Sequence, residues 1–179
     1  MPKFKITADN DGVNKGKSTS SWATAIQLKT GTETSLNNNT TNAGLVLNTQ
    51  ISAGPTWKCW RPWFRFNLGT FPVVGPHIEF LSVTVTVGVN QSDTAHFTNS
   101  GVLRLYKSTQ PGRAGAVMLT TADFNAFDRA AYSEEISLVH GSTDDISFKL
   151  YKGSKLFEYV IEQARRRNIV SFMIRNKLD

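Results

Sequence analysis

The sequence has few of the residues that disulfides and transition-metal sites require. Its 179 residues include a single cysteine, Cys59, and three histidines. One cysteine excludes an intramolecular disulfide and a zinc site built from four thiolates. The histidines lie far apart in the chain, without the short spacing of a paired metal-binding motif: His77, His96 and His140. We therefore expect no cofactor, and we interpret Cys59 as a small buried residue.

Long apolar segments are also absent. No run approaches the about 18 consecutive apolar residues of a membrane span. The N-terminal sequence MPKFKITADNDGV begins with basic residues but has no apolar stretch after them, and a secretory signal peptide needs such a stretch. We therefore expect a protein without a membrane partner, which stays where it is made or leaves in an assembly or after cell lysis.

The local motifs of common enzyme classes are missing as well. The sequence contains no G-x-S-x-G motif, P-loop, dinucleotide fingerprint or zinc-deaminase pattern. It has two adjacent carboxylate pairs, Glu134–Glu135 and Asp144–Asp145. Neighbouring side chains in a strand or turn point to opposite sides, so neither pair is the facing pair that glycoside hydrolysis requires. We expect a protein that is not an enzyme.

One segment resembles the opening of a calcium-binding loop. Asp9-Asn10-Asp11-Gly12 offers oxygen ligands at alternate positions before a glycine, an arrangement typical of such loops. The twelfth position, which holds a bidentate glutamate in an EF-hand, is Ser20. An Asx-rich turn is the favoured interpretation, and Asp9 and Asp11 remain candidate ligands of a structural calcium ion.

Apolar residues with a period of two dominate the chain from residue 57 onward. This alternation predicts strands over 57–68, 78–89, 102–108, 146–151 and 168–176. It is clearest in the second of these segments, where four apolar residues share one face: Leu81, Val83, Val85 and Val87. The sequence is therefore dominated by short strands.

The remaining segments complete the predicted architecture. SKLFEYVIEQARRRN, residues 154–168, indicates a C-terminal α-helix that Ser154 can cap, and 121–129 indicates a short helical turn. The Thr-, Asn- and Gly-rich residues 31–44 predict a long polar loop. Short strands separated by Gly, Pro and Asn turns predict a single all-β domain over 1–179, a β-sandwich of the jelly-roll type.

WKCWRPWFRF, residues 57–66, is the segment richest in aromatic and basic side chains. Its alternation assigns three aromatic residues to the core: Trp60, Phe64 and Phe66. The opposite face of the strand carries Arg61, Trp63 and Arg65. Tryptophan beside arginine suits stacking on a sugar or base, and equally a protein interface, where both residues are enriched. A third interpretation is a second, covered face of the sandwich. Trp57 is a further candidate for stacking.

Positive charge is the other general feature of the chain. The formal net charge is +6, which permits an anionic partner. The one dense cluster is Arg165-Arg166-Arg167. As the last turn of a helix these residues interact favourably with the helix dipole and with solvent; alternatively they dock an anionic partner subunit or nucleic acid. Because the other charges are spread along the chain, nucleic acid is the disfavoured partner.

Several segments together resemble a group of known β-sandwich modules. RPWFRFNL, residues 61–68, is followed by Phe71-Pro72, Gly75, Ile78 and the apolar alternations of 81–87 and 103–106. LTTADFNAF, residues 119–127, is similar to a second segment of the pattern. This order resembles jelly-roll modules related to the DNRLRE and carbohydrate-binding β-sandwich domains, which occur in bacterial surface proteins and in tailed-phage and other viral structural proteins. The shared positions are core and turn positions, so the resemblance implies a fold more than a site.

The resemblance, together with the lack of enzyme motifs and of an export signal, gives an expected function. We expect a non-enzymatic structural protein of a virus particle, most simply a bacteriophage capsid decoration or accessory protein, or a fibre or tail component. Its partners would be other virion proteins or copies of itself, assembled in the host cytoplasm. The alternative is a carbohydrate-binding or host-adhesion module that binds a host glycan, with Trp63 or Trp57 as the stacking platform.

Overall fold

Antiparallel strands make up most of the chain that the structure describes. The structure, a computed structural model, describes residues 4–6, 8–15, 24, 33–37, 59–75, 77–88, 102–109, 121–137 and 145–176. The strands in these ranges are β1 Asn10–Lys15, β2 Glu33–Asn37, β3 Trp60–Asn67, β4 Val83–Val87, β5 Val102–Ser108, β6 Phe127–Tyr132, β7 Ile136–Ser137, β8 Ile146–Leu150 and β9 Ile169–Asn176. Helix α1 is Lys155–Arg166, and 3₁₀ turns are Leu68–Thr70 and Thr121–Asn125.

The strands form a large sheet and a small one. The large sheet has the strand order β2-β1-β3-β9-β5-β6, and β7 also pairs with β5. Strands β4 and β8 form the two-stranded sheet. Each of these pairings is antiparallel. The all-β prediction is therefore confirmed, whereas the jelly-roll type of sandwich remains a prediction.

One face of the large sheet packs against the small sheet and α1. The large sheet contributes buried side chains from β3, β5 and β9: Phe64, Leu103, Leu105, Val170, Phe172 and Ile174. The small sheet contributes Val85, Val87, Phe148 and Leu150, and the helix contributes Leu156, Phe157, Val160, Ile161 and Ala164. Burial of these apolar surfaces is the main stabilising contribution to the fold.

Helix α1 begins and ends as its sequence predicts. The Ser154 hydroxyl accepts a hydrogen bond from the Phe157 amide at 3.2 Å, which satisfies one amide of the first turn. Leu156, Val160 and Ala164 lie on the buried face at helical spacing. The helix ends at Arg167, whose φ of 53° is in the left-handed region and directs the chain into β9.

Two predicted boundaries were wrong for the same physical reason. Strand β4 begins at Val83, and Leu81 is 58% exposed, although apolar alternation extends back to residue 78. The helical turn predicted over 121–129 ends at Asn125, and Phe127 begins β6. Phe127 pairs with Ser108 of β5. In both places the neighbouring strand decides where regular structure begins, and local propensity is overridden.

The predicted loop over 31–44 also contains a strand. Glu33–Asn37 forms β2, which pairs with β1 in the register Gly12↔Leu36. Among the described strands β2 is the last in the order of the large sheet, and polar side chains are common on such edge strands. The other residues of the predicted loop lie outside the described ranges. Within those ranges, no helix has the length and apolar character needed to cross a membrane.

Replacement of one core phenylalanine tests the packing of the small sheet. Phe148 of β8 is fully buried, and the adjacent Lys149 is exposed. We expect Phe148→Ala to lower the free energy of unfolding by about 3–5 kcal/mol, since it removes buried apolar surface and leaves a cavity. Lys149→Ala should change it by less than about 0.5 kcal/mol. Urea unfolding measures both values, and equal values for the two variants would contradict the packing.

Candidate functional site

The face of β3 that carries Arg61, Trp63 and Arg65 is largely covered within the chain. Arg61 and Trp63 are each 0% exposed, and the side chain of Arg65 is 11% exposed. This face looks away from α1 and the small sheet. It continues across β9 and β5, and the 3₁₀ turn Thr121–Asn125 and the start of β6 contact it. Of the three interpretations of this face, the covered second face therefore describes Arg61 and Trp63.

Arg61 connects β3 to the 3₁₀ turn Thr121–Asn125. Its Nη1 donates to the Phe124 carbonyl oxygen at 2.7 Å and to Asn125 Oδ1 at 2.5 Å. The guanidinium carbon lies 3.8 Å from the centroid of the Phe124 ring. A buried guanidinium must be hydrogen-bonded to offset its desolvation, and an aromatic face adds cation–π attraction. Arg61 therefore positions this turn on the sheet.

Trp63 makes a second connection across the same face. Its indole Nε1 donates to Ser108 Oγ of β5 at 3.2 Å. The Ser108 hydroxyl in turn donates to the Ala126 carbonyl oxygen at 3.1 Å. The indole is fully buried, so a sugar ring or base has no exposed face of Trp63 on which to stack. Trp57, the other candidate platform, lies outside the described residues.

Arg175 of β9 is a buried residue of this face that sequence reasoning did not select. It is 2% exposed, and its guanidinium carbon lies 3.7 Å from the Phe127 ring centroid and 5.6 Å from that of Tyr106. Tyr106 and Phe127 pack edge to face at 5.5 Å, with Met173 beside them. The available signal was an arginine inside an apolar strand, but the strand order was needed to identify its surroundings. These aromatic and arginine residues form a packed layer.

The two aspartates proposed as calcium ligands lie at the start of the large sheet. Asp9 accepts two hydrogen bonds from Arg65, Nε to Oδ1 at 3.1 Å and Nη2 to Oδ2 at 2.6 Å. Asn10–Lys15 is strand β1, so the Asx-rich turn predicted there was wrong; pairing with β3 holds it extended. Asp11 belongs to this strand. Within the described ranges, no group of three or more His, Cys, Asp or Glu residues could hold a metal ion.

The three arginines at the end of α1 have different neighbours. Arg166 forms an ion pair with Glu162 one turn earlier, with Nη2 at 2.7 Å from Oε1. Arg165 Nη2 donates to the Ile78 carbonyl oxygen at 3.3 Å, and the Arg167 guanidinium donates to the Gly69 carbonyl oxygen. All three arginines are exposed. The helix end is therefore attached to the chain between β3 and β4, an arrangement that the sequence did not predict.

That connecting chain, residues 71–82, exposes large apolar side chains. Val73, Ile78 and Leu81 are 82%, 52% and 58% exposed, and we call them the 73–81 surface. Phe71, at the start of this segment, is buried and stacks on Phe80 with ring centroids 6.0 Å apart. Sequence reasoning interpreted this stretch as a loop and the beginning of a strand. The missed signal was its content of Val, Ile and Leu between prolines and glycines.

Comparison of the chain with protein-family models, with curated proteins and with solved structures found no match. The resemblance to jelly-roll modules therefore remains a prediction. Among the described residues, the basic helix end and the 73–81 surface are exposed candidates for a functional site, whereas Arg61 and Trp63 belong to the interior.

Replacement of Arg61 tests the structural role of the covered face. We expect Arg61→Met to lower the free energy of unfolding by about 2 kcal/mol, because hydrogen bonds of a charged donor are lost and the Phe124 carbonyl loses a partner. Hydrogen exchange of residues 121–125 should become faster. Arg129→Met is the matched control, since Arg129 is exposed and lies 5.4 Å from the Phe127 ring. Similar unfolding free energies for both variants would contradict the role of Arg61.

Proposed function

We propose that this chain is a non-enzymatic structural protein of a virus particle that acts through protein–protein contacts. It would be a bacteriophage capsid decoration or accessory protein, or a fibre or tail component, with a jelly-roll fold. The observation that carries the proposal is the 73–81 surface, where three large aliphatic side chains are more than half exposed. Several large apolar side chains exposed within one short segment favour a protein interaction site.

The distribution of the other candidate residues supports a contact function. Arg61 and Trp63 are buried, and they connect strands and a turn within the chain. The aromatic and arginine layer therefore stabilises the scaffold, and the outer surface is left for contacts with partners. The segments 61–68, 81–87 and 103–106, which carry the resemblance to viral structural modules, fall mainly on β3, β4 and β5.

A host-adhesion module that binds a glycan is the competing proposal. It requires an exposed aromatic ring on which a sugar can stack. Trp63 does not offer one, because its indole is fully buried. Of the two tryptophans expected to act as platforms, Trp57, outside the described residues, then remains, and we rank this proposal second.

Sedimentation with particles tests the proposed function directly. Lysates of cells that produce the chain are treated with nuclease and separated on a density gradient, and an antibody locates the chain. We expect the chain to migrate with nucleic-acid-containing particles. The double variant Ile78→Ser/Leu81→Ser should shift to the top of the gradient, because it removes apolar contact area.

The matched control is Tyr151→Ser, which removes a ring that is 60% exposed outside the 73–81 surface. This variant should remain with the particles. If the unmodified chain stays at the top of the gradient in every lysate that contains particles, the proposed function is wrong. If Tyr151→Ser is displaced as strongly as the double variant, the 73–81 surface is not the contact.

A further inference from the structure

Two arginines of the helix end lie beside the exposed apolar segment. Arg165 donates to the backbone oxygen of Ile78, a residue of the 73–81 surface. Arg167 donates to the backbone oxygen of Gly69, at the beginning of the same connection between β3 and β4. The charge of Arg165 therefore lies beside the backbone of Ile78, although 87 residues separate the two in the sequence.

Among the described residues, Arg165 and Arg167 donate to neutral backbone oxygens and form no ion pair. A carbonyl oxygen accepts a hydrogen bond but carries no net charge, so Arg165 and Arg167 remain positive. Arg166, in contrast, is paired with Glu162. Lys152 is paired with Glu79, and the hydrogen bond and attraction of Lys152 lower the pKa of that carboxyl. The positive charge at the helix end is thus carried by Arg165, beside Ile78, and by Arg167, beside Gly69.

Contacts around the buried ring of Phe71 hold the apolar segment in place. Phe71 stacks on Phe80, and Phe4 contacts Phe71 with ring centroids 5.3 Å apart. Within the connection, the Phe71 amide donates to the Leu68 carbonyl at 2.9 Å, and the Ile78 amide donates to the Gly75 carbonyl at 3.1 Å. A segment fixed in this way loses little conformational entropy when a partner binds.

We propose that Ile78, Leu81, Arg165 and Arg167 form one docking surface for an acidic, apolar segment of a partner protein. The inference rests on the proposed function and names the chemistry of the partner. Leu81 and Ile78 would contact aliphatic side chains of that segment. Arg165 and Arg167 would face its carboxylates, with additional geometric specificity because a guanidinium binds a carboxylate through two donors.

Charge complementarity favours this partner over a second copy of the chain. A two-fold interface brings the same surface of both copies together. Near the two-fold axis it would place arginines opposite arginines, and like charges across an interface are unfavourable. The phosphates of a nucleic acid would use Arg165 and Arg167, but the polymer gains little from the aliphatic side chains of Ile78 and Leu81. An acidic protein segment uses both parts of the surface.

Binding of a synthetic peptide tests the docking surface. The probe is a fluorescein-labelled 12-residue peptide of alternating Leu and Glu, and its anisotropy is titrated with the full chain. Peptides of alternating Leu and Lys, and of alternating Ser and Glu, test the charge and the apolar side chains separately. We expect the Leu/Glu peptide to bind at least about tenfold more tightly than either, with an affinity that falls as salt is raised.

Paired variants assign the binding to the named residues. Arg165→Gln/Arg167→Gln should weaken binding of the Leu/Glu peptide by about fivefold to tenfold and remove most of its salt dependence. Ile78→Ser/Leu81→Ser should weaken it by at least about tenfold with the salt dependence retained. The controls are Arg129→Gln and Tyr151→Ser, exposed residues outside this surface, which should bind as the unmodified chain does. Urea unfolding of each variant verifies that it is folded.

Three results would overturn the inference: equal binding of the Leu/Lys peptide, equal loss of binding in the control variants, or no binding of the Leu/Glu peptide. A labelled single-stranded RNA that binds more tightly than the peptide, and whose binding the arginine variant abolishes, would assign the surface to nucleic acid instead. Failure here is separable from failure of the proposed function. A chain that sediments with particles but does not bind the peptide refutes only the docking surface.

Discussion

The structure depends on the position of β9 between β3 and β5. An antiparallel partner on each edge, with Phe64 opposite Phe172 and Leu105 opposite Ile174, makes the C-terminal strand central to the large sheet. A central strand in a sheet that is covered on both sides buries both of its faces. Val170, Phe172 and Ile174 meet the helix and the small sheet, while the opposite face buries Met173 and Arg175. The packed layer of aromatic and arginine residues on this opposite face is a consequence of the central position of β9.

The second layer explains why arginines lie in the interior. Arg61 and Arg175 each place the guanidinium within 4 Å of a phenylalanine ring centroid, and Arg61 also donates to backbone and side-chain oxygens of the 3₁₀ turn. Removing one partner of a buried charged group lowers the free energy of unfolding by more than the interaction itself contributes to it. Two of the binding candidates in the sequence, Arg61 and Trp63, are therefore part of the interior. The proposed function leaves recognition to residues outside this layer, of which Ile78 and Arg165 are examples.

Local patterns predicted most of the elements but not their surroundings. Strand β5 and helix α1 agree closely with the apolar periodicity and the Ser154 cap, because these signals lie within a few residues. Period-two alternation separates the two faces of a strand, but it does not tell whether the second face meets solvent or another layer. That property depends on strand order, and the exposure of Trp63 was unpredictable for this reason. The approach of Arg165 to Ile78 likewise requires the fold, since it joins distant parts of the chain.

The central claim is that Arg61 and Trp63 of β3 are interior residues and that the proposed contacts are made by the 73–81 surface with the helix end. Hydrogen–deuterium exchange of the chain, alone and bound to the particles with which it sediments, tests this claim most directly. We expect slow exchange of 61–67 and 169–175 in both states, with new protection on binding confined to 68–82 and the helix end around Arg165 and Arg167. Fast exchange of 61–67 in the isolated chain, followed by strong protection there on binding, would contradict the account.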